Sequence, residues 1–464
     1  MLRFFKQYYP IRNIFFVIGE GFFIYISVLA ATWMLFNPES FAFNNLFSRK
    51  ASLIAFVCMI CLYFNDVYDL QITNSYFELG IRLFQALGAS SIILACVYFL
   101  FQEMIIGKGI FFITIIFSMM LIIIWRFFYK FILTTSIFDQ KIIILGSGGV
   151  GEQIVNETIK RRDCGYKVSS VIMESHNGSL LSYHGTPVIY KKKFEGLCQT
   201  AKEMGIKKIV LDLKEKRGAF PTKELLNCRI GGIDILEGNS FYEMLTGKLI
   251  VNQINPGWLI FSDGFKKSFI KRFMKRFIDI LFSFILLVIL LPVILATAIL
   301  IKIDSRGPVF FSQSRVGQKR KIYKVFKFRS MIVDAEKRSG PVWAKSNDDR
   351  ITRIGKFIRK CRIDEIPQLW NVLKGDMSFA GPRPERYYFV NKLEEVIPYY
   401  SQRFSVKPGV TGWAQVSYGY GATVEDAIEK LNYDLYYIKN MSIFMDLIIV
   451  MRTVKTVLFG KGSR

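Results

Sequence analysis

Histidine is almost absent from this chain of 464 residues: only His176 and His184 occur. Nothing in 185–464 can therefore build a Ser-His-Asp or Cys-His site or a histidine-ligated zinc centre. Cysteine is scarce too, with seven residues scattered without a framework. Cys58 and Cys61 form a CxxC, but it lies inside an apolar run and no second ligand pair follows. Neither a metal site nor disulfides are expected, and the polar parts read as cytoplasmic. Acidic charge is also in short supply: 37 Asp and Glu stand against 62 Lys and Arg, a net charge of +25. Such an excess fits nucleic acid, anionic lipid or phosphorylated substrates. Hydrophobic residues make up 52% of the chain, too many for an ordinary soluble enzyme. That composition favours lipid and phosphorylated partners over nucleic acid.

Long apolar runs fall at about 13–36, 51–70, 84–106 and 110–133, each long enough to cross a bilayer. Arg3, Lys6 and Arg12 precede the first, and no small-residue cleavage site follows it, so a retained anchor is expected. Arg126, Lys130 and Lys141 flank the fourth. Four crossings with basic flanks at both ends place both ends in the cytoplasm, although Arg49 and Lys50 fall in the first outside loop.

A polar stretch follows, about 138–258. Lys141 to Leu145 reads as a buried strand. Gly146, Gly148 and Gly151 then form G-x-G-x-x-G and open the helix pattern EQIVNETIKRR, and a second strand, KVSSVIM, ends at Glu174. Strand, glycine turn, helix and strand in this order predict a Rossmann-like α/β domain. The same glycines serve tight turns and close packing without a ligand, and a bound dinucleotide is not expected. KKIVLDL and GIDIL are later strand candidates.

Lys266 to Arg276 interleaves basic residues with Phe, Ile and Met, the pattern of a helix on an anionic membrane surface. Phe277 to Ile301 is long enough to span, but Pro292 sits inside it and both flanks are basic. A helix–break–helix that enters and leaves the same face keeps both flanks inside, and Pro292 supplies the break by removing a backbone hydrogen bond. Helix patterns then appear at about 350–360, 366–374, 385–397 and 425–459.

The chemistry-bearing residues concentrate in this last region. Arg315 lies in QSRVG, and Lys327 and Arg329 alternate in KVFKFRSM. On a strand they would share one face, with Phe326 and Phe328 on the other, and two cations on one face suit a diphosphate. Asp364 and Glu365 precede a short helix pattern, with Pro367 at its first turn and Gly375 at its stop. One acid can attack phosphorus while the other holds Mg²⁺, or both can touch the metal; hard oxygen ligands suit Mg²⁺ that is also bound by substrate phosphates. In Gly381-Pro-Arg383-Pro-Glu385, flanking prolines fix the backbone around one arginine, which lowers the entropy cost of ordering it on a phosphate. Lys407 to Trp413, KPGVTGW, is a constrained loop suited to shaping a nucleoside pocket.

QSRVG, KVFKFRSM, RIDEIPQLWNVLKGDMSFAGPRPE and KPGVTGWAQV, in uninterrupted order over about 270–460, resemble the bacterial sugar transferase family, the polyprenyl-phosphate hexose-1-phosphate transferases. The preceding regions resemble its long members, which initiate exopolysaccharide or O-antigen synthesis. The resemblance implies a multi-pass protein of the bacterial inner membrane in three parts. These are four transmembrane helices (1–137), a Rossmann-like cytoplasmic domain (138–258) and an α+β catalytic domain (259–464) with a re-entrant helix at about 277–301. It implies a cytoplasmic UDP-sugar donor, undecaprenyl phosphate as acceptor, and Mg²⁺ or Mn²⁺. Carried over, Asp364 is the nucleophile, Glu365 positions the metal with Asp364 also in reach of it, and Arg383 binds phosphate, with Arg315, Lys327 and Arg329 as further phosphate-binding candidates. A homodimer is the family-level expectation. Many members have Ser before the membrane proline, where Leu291 stands in this chain. Two rival readings remain. A membrane-anchored NAD-dependent sugar-nucleotide dehydratase or epimerase needs Tyr-x-x-x-Lys, a spacing that Tyr323 and Lys327 have. A non-catalytic scaffold for polysaccharide assembly would not need the acid pair.

Overall fold

In the computed structural model, all residues are described except 1, 5–6, 10, 36–44, 69–74, 108, 136–138, 147, 175–181, 214–219, 255, 263, 334–349, 420, 422 and 460–464. His176 lies outside the described residues. The chain divides into two compact units, the first made chiefly of 9–146 and 154–235, the second of 147–153 and 236–464.

A two-stranded sheet, β1 (Leu2–Phe4) and β2 (Gln7–Tyr9), precedes four long helices: α1 (Ile11–Leu35), α2 (Asn45–Phe64), α3 (Tyr76–Leu100) and α4 (Ile110–Thr135). All four are long and apolar enough to cross a membrane. Helices α2 and α3 begin six to eight residues earlier than their apolar runs, because Asn45–Lys50 and Tyr76–Leu83 continue the helix although their polar residues dilute the hydropathy. Ile24, Val28, Ile54, Leu62, Leu83 and Ile122 form a sealed core. One ion pair is buried with it, Glu20 to Arg126 at 2.7 Å. At the bundle's end Arg12 meets Asp139 at 2.8 Å, joining α1 to the α/β domain.

That domain carries β3 (Gln140–Leu145), α5 (Val150–Lys160), β4 (Tyr166–Glu174), β5 (Ser182–Tyr183), β6 (Thr186–Lys191), α6 (Leu197–Glu203), β7 (Lys208–Leu211), α7 (Thr222–Ile230) and β8 (Asp234–Glu237). The strand order is β5-β6-β4-β3-β7-β8. Pairs β3–β4, β3–β7 and β4–β6 are parallel, and β5–β6 is antiparallel. The central strand is covered on both faces, with Ile142 to Leu145 fully buried, as a parallel sheet with crossover helices requires. The glycine turn sits where the strand order reverses, the usual crevice of such sheets.

The second unit continues with α8 (Gly238–Thr246), α9 (Pro256–Phe261), α10 (Phe269–Ile289), α11 (Leu291–Asp304), β9 (Phe310–Val316), β10 (Ile322–Phe328), α12 (Arg353–Lys360), α13 (Gln368–Lys374), β11 (Ser378–Ala380), α14 (Tyr387–Val396), β12 (Gly409–Thr411), α15 (Trp413–Ser417), α16 (Val424–Asn440) and α17 (Ile443–Leu458). Strands β9 and β10 form an antiparallel hairpin, and β11 pairs in parallel with β12. Leu249, Val251 and Ile254 pack with Val390, Tyr400, Leu435 and Ile449. Residues 238–254, expected within the middle domain, join the C-terminal core instead. Val251 N–H donates to Asn432 at 2.9 Å and Trp413 Nε1 to Gly247 O at 2.8 Å.

The basic stretch before the apolar run is not a separate surface helix: α10 runs unbroken from Phe269 through it. Helices α10 and α11 bend by 60° at Leu290. Pro292 is the second residue of α11, where it cannot return a bond to Val288 O, and Leu290 N–H turns back to Leu286 and Val288 instead. Both feet of the pair are fastened to the same unit. Arg276 donates to the carbonyls of Val372 and Leu373 at 2.6 and 2.9 Å, closing the C-terminus of α13. At the far end, Asp304 accepts Ile354 N–H at 3.1 Å. The long C-terminal pattern proves to be two helices. Ser442 breaks it and caps α17 by accepting Met445 N–H at 3.2 Å.

Candidate functional site

Thr352 caps α12 by accepting Gly355 N–H at 3.0 Å. The helix ends at Cys361, and Arg362 takes a left-handed conformation, φ 57°. That reversal starts a single 3₁₀ turn, Ile363–Glu365. Ile363 and Ile366 pack against the cluster of Ile301, Phe328 and Ile358. Two apolar anchors therefore bracket Asp364 and Glu365, which are each only 8% exposed. The helix that follows, α13, has seven residues. Its dipole is short, so cationic side chains set most of the field at the acids.

Those cations come from distant parts of the unit. Lys327 Nζ, on β10, lies 2.9 Å from Glu365 Oε1 and 3.9 Å from Asp364 Oδ2. Arg383 Nη2 lies 3.1 Å from Glu365 Oε1 and Arg362 Nη1 3.7 Å from it. The two acids are therefore unequal. Burial raises the Glu365 pKa, but Lys327, Arg383 and Arg362 together outweigh it and hold the carboxyl well below the ordinary range. Burial also raises Asp364, and there it prevails: Lys327 offsets it in part, while the Glu365 charge adds to it. The depressed Glu365 contributes stability above its unfolded pKa, and this is lost as pH falls through the folded value. Replacing Lys327 with Met removes one of those cations and raises the folded value. Acid unfolding of the full chain, followed by circular dichroism, should then begin at a higher pH than in the unaltered protein.

The four expected phosphate-binding cations separate. Lys327 and Arg383 reach the acid pair. Arg315 instead braces the turn after β11, donating to Pro384 O at 3.3 Å and Gln313 Oε1 at 2.8 Å, with Glu385 at 3.8 Å. Burial pushes its pKa down to about 10, against the pull of Glu385 and with added repulsion from Arg383 and Arg386. Arg329 does not share the Lys327 face. Strand β10 ends at Phe328, and Arg329 is buried with its guanidinium on Ser305 O at 2.7 Å and Arg306 O at 2.9 Å. Arg329 ties the exit of α11 to β10 and does not join Lys327 and Arg383 at the acid pair.

Three glycines press β11 against β12. A Cβ on Gly409 or Gly412 would collide with the backbone of Gly381, and one on Gly381 with Lys407 O. KPGVTG is thus a backbone support for the Arg383 turn. Trp413 is core, 6% exposed. Tyr323 packs with Val325, Val372 and Met377 while Lys327 engages Glu365, so the Tyr-x-x-x-Lys spacing builds no joint site. In the middle domain, Gly146 is left-handed at φ 100°, and a Cβ there would meet Asp212 O at 2.5 Å. This position serves close strand packing. Gly148 lies in the same turn and Gly151 in the first turn of α5. Between them, Gly149 lies against the Gln253 side chain, its Cβ position 3.1 Å from the amide nitrogen.

Sequence reasoning missed Asn371. It is fully buried on α13, accepts Phe326 N–H at 3.0 Å and donates to Lys324 O at 2.7 Å. It thereby bonds the helix after the acids to the strand of Lys327. Its only sequence signal is a polar residue within an apolar helix pattern.

Among the described residues, no three His, Cys, Asp or Glu side chains converge as a metal group. Two hard carboxylate donors at a cationic site still fit a divalent ion whose other ligands are substrate phosphates and water.

Residues 270–460 match the family model described as bacterial sugar transferase, and 63–218 match one described as CoA-binding domain. The chain is 51% identical over 170 residues to the UDP-N-acetylgalactosamine-undecaprenyl-phosphate N-acetylgalactosaminephosphotransferase of Aeromonas hydrophila, covering 37% of this chain and 40% of that protein. It is 43% identical over 171 residues to the UDP-glucose:undecaprenyl-phosphate glucose-1-phosphate transferase of Xanthomonas campestris pv. campestris, covering 36% and 35%. It is 45% identical over 174 residues to the exopolysaccharide production protein PSS of Rhizobium leguminosarum bv. phaseoli, covering 36% of this chain and 87% of that protein. The match thus spans well under half of the first two relatives.

Proposed function

The chain belongs to the bacterial sugar transferase family, and from that premise we propose that it transfers a hexose 1-phosphate from a UDP-sugar to undecaprenyl phosphate, releasing UMP and opening the synthesis of an exopolysaccharide or O-antigen repeat unit. One observation carries this reading: two adjacent buried acids of which only one is charge-saturated. Glu365 is pinned by Lys327 and Arg383 at 2.9 and 3.1 Å. Asp364, whose nearest cation among the described residues is Lys327 at 3.9 Å, is the carboxylate left to react.

Asp364 attacks the sugar-linked β-phosphorus in line, forming a P–O bond while the bond to the bridging oxygen breaks. UMP leaves with that electron pair, and an acyl phosphosugar remains on the enzyme. An oxygen of the lipid phosphate then attacks the same phosphorus, Asp364 departs as carboxylate, and the product is a lipid diphosphate sugar. Dividing the reaction lets a soluble donor and a membrane acceptor use one site in turn. Lys327 and Arg383 neutralise phosphate oxygens, where most of the stabilisation of phosphoryl transfer lies. Mg²⁺ would be held by Glu365 and Asp364 and would supply further charge neutralisation.

The lipid acceptor requires the site at the membrane surface. Helix α11, at 14 residues, rises about 21 Å, short of the roughly 30 Å hydrocarbon core. The 60° bend and the two fastened feet support re-entry from the cytoplasmic face. The test is UMP release from a panel of UDP-hexoses and UDP-N-acetylhexosamines by the full chain in lipid nanodiscs with undecaprenyl phosphate and Mg²⁺. At least one donor should give UMP in turnover amounts only when lipid phosphate and metal are both present, and no more than one UMP per chain without the lipid. No UMP from any donor would overturn the assignment.

A further inference from the structure

A second buried ion pair lies behind the Arg383 turn and belongs to none of the motifs. Arg403 sits in the 3₁₀ turn Tyr400–Ser405 and Asp434 on α16; they are 7% and 2% exposed. Arg403 Nη2 donates to Asp434 Oδ2 at 3.0 Å and to the main-chain oxygen of Arg383 at 2.9 Å. Arg403 Nη1 bonds the Tyr400 hydroxyl, and the guanidinium lies over the Tyr400 ring. Tyr400, Phe404, Leu431 and Leu435 pack around the pair in one core cluster, and the charges of Glu385 and Lys430 also act on it.

A buried ion pair is a poor source of stability, because desolvation takes back much of the Coulombic gain and apolar replacements often do as well. Its value here lies in where the remaining donor goes. The carbonyls on either side of Arg383 are held otherwise: Pro382 O by Gly409 N–H at 2.9 Å and Pro384 O by Arg315. Among the described residues, the Arg383 carbonyl is held by Arg403. The flanking prolines fix their own φ angles, and Pro384 also narrows ψ of Arg383, but neither sets φ of Arg383, which the bond from Arg403 to its carbonyl helps to hold.

We propose that Arg403 and Asp434 are positioning residues: Asp434 orients Arg403, Arg403 fixes the Arg383 peptide, and the Arg383 guanidinium is thereby aimed at the substrate phosphate. This rests on the reading of Arg383 as a phosphate ligand. Neither residue touches substrate. Their contribution passes through Arg383, so it disappears when Arg383 can no longer make its contact.

The experiment is a double-mutant cycle in the full chain in nanodiscs, using whichever UDP-sugar the unaltered protein turns over fastest. Asp434→Asn keeps the shape of the side chain and removes its charge. It should lower kcat/KM by up to about 10²-fold, the scale of a small misplacement. In an Arg383→Lys background the same change should cost less than about threefold, since the contact it positions is already lost. An equal cost in both backgrounds, or none in either, overturns the proposal. Tyr400→Phe, which removes one bond to Arg403 and keeps the ion pair, is the second variant should Asp434→Asn melt early; it should show the same non-additivity at smaller size, and additivity there also overturns the proposal. An Arg383→Lys enzyme with unaltered kcat/KM defeats the phosphate reading itself, and is seen directly from that single variant.

Discussion

Asp364→Asn should eliminate turnover, with a fall on the order of 10⁴ or more in kcat, the scale seen when a nucleophile is removed. The amide keeps the volume of the carboxylate, so Ile363 and Ile366 can still seat the turn. It removes a charge that burial already disfavours, so the fold should not suffer. A covalent intermediate gives a second readout. Incubated with a UDP-sugar and no lipid acceptor, the unaltered chain should gain the mass of one phosphosugar, and Asp364→Asn should gain none. Glu365→Gln is the informative contrast. It strips the partner from Lys327 and Arg383, which then lose their fixed positions, but leaves the attacking oxygen in place. It should slow labelling without preventing it. Turnover of Asp364→Asn within about tenfold of the unaltered rate would remove Asp364 from the nucleophile's role and leave it a metal or capping ligand.

The elements legible in the sequence were those with strong local signals. Four apolar helices, two of them displaced toward the N-terminus from their runs, the strand before the glycines, the proline break and the Asp364-Glu365 turn all appear. The losses have a common physical origin, since tertiary contacts decide what local pattern leaves open. Alternation placed Lys327 and Arg329 on one face, but the strand stops between them and Arg329 finds two carbonyls at the exit of α11. The periodicity of 425–459 runs through Met441 and Ser442, so nothing local announced a break there apart from a serine able to cap. Glycine and proline in KPGVTGW fit both a recognition loop and a close backbone contact. Only the approach of Gly381 to Gly409 and Gly412 distinguishes the two. Arg403 and Asp434 were invisible for a simpler reason: 30 intervening residues separate two charges that look like surface positions until the core closes over them.

Asn371→Leu tests how the site is assembled rather than what it does. Leu has nearly the same volume, so the pocket is still filled, but both hydrogen bonds to β10 are lost. Phe326 N–H and Lys324 O then remain in a site that the fully buried side chain shields from water. A buried polar group left unpaired costs about 1–3 kcal/mol. Two of them should lower unfolding stability by about 3–5 kcal/mol, partly relieved if water enters. The effect on the site follows from the geometry. Lys327 lies one residue beyond the bonded Phe326, and Glu365 lies two turns before Asn371 in the segment that leads into α13. With the clamp gone, strand and helix can slide, and the 2.9 Å contact between Lys327 and Glu365 is no longer fixed. Glu365 should then titrate closer to an ordinary carboxylate, and KM for the UDP-sugar should rise with little further loss in kcat once donor is saturating. Thermal unfolding of the full chain and the KM–kcat split measure the two consequences separately. A variant that melts with the unaltered protein would mean that β10 and α13 are held together by their apolar contacts alone, with Asn371 only occupying space between them.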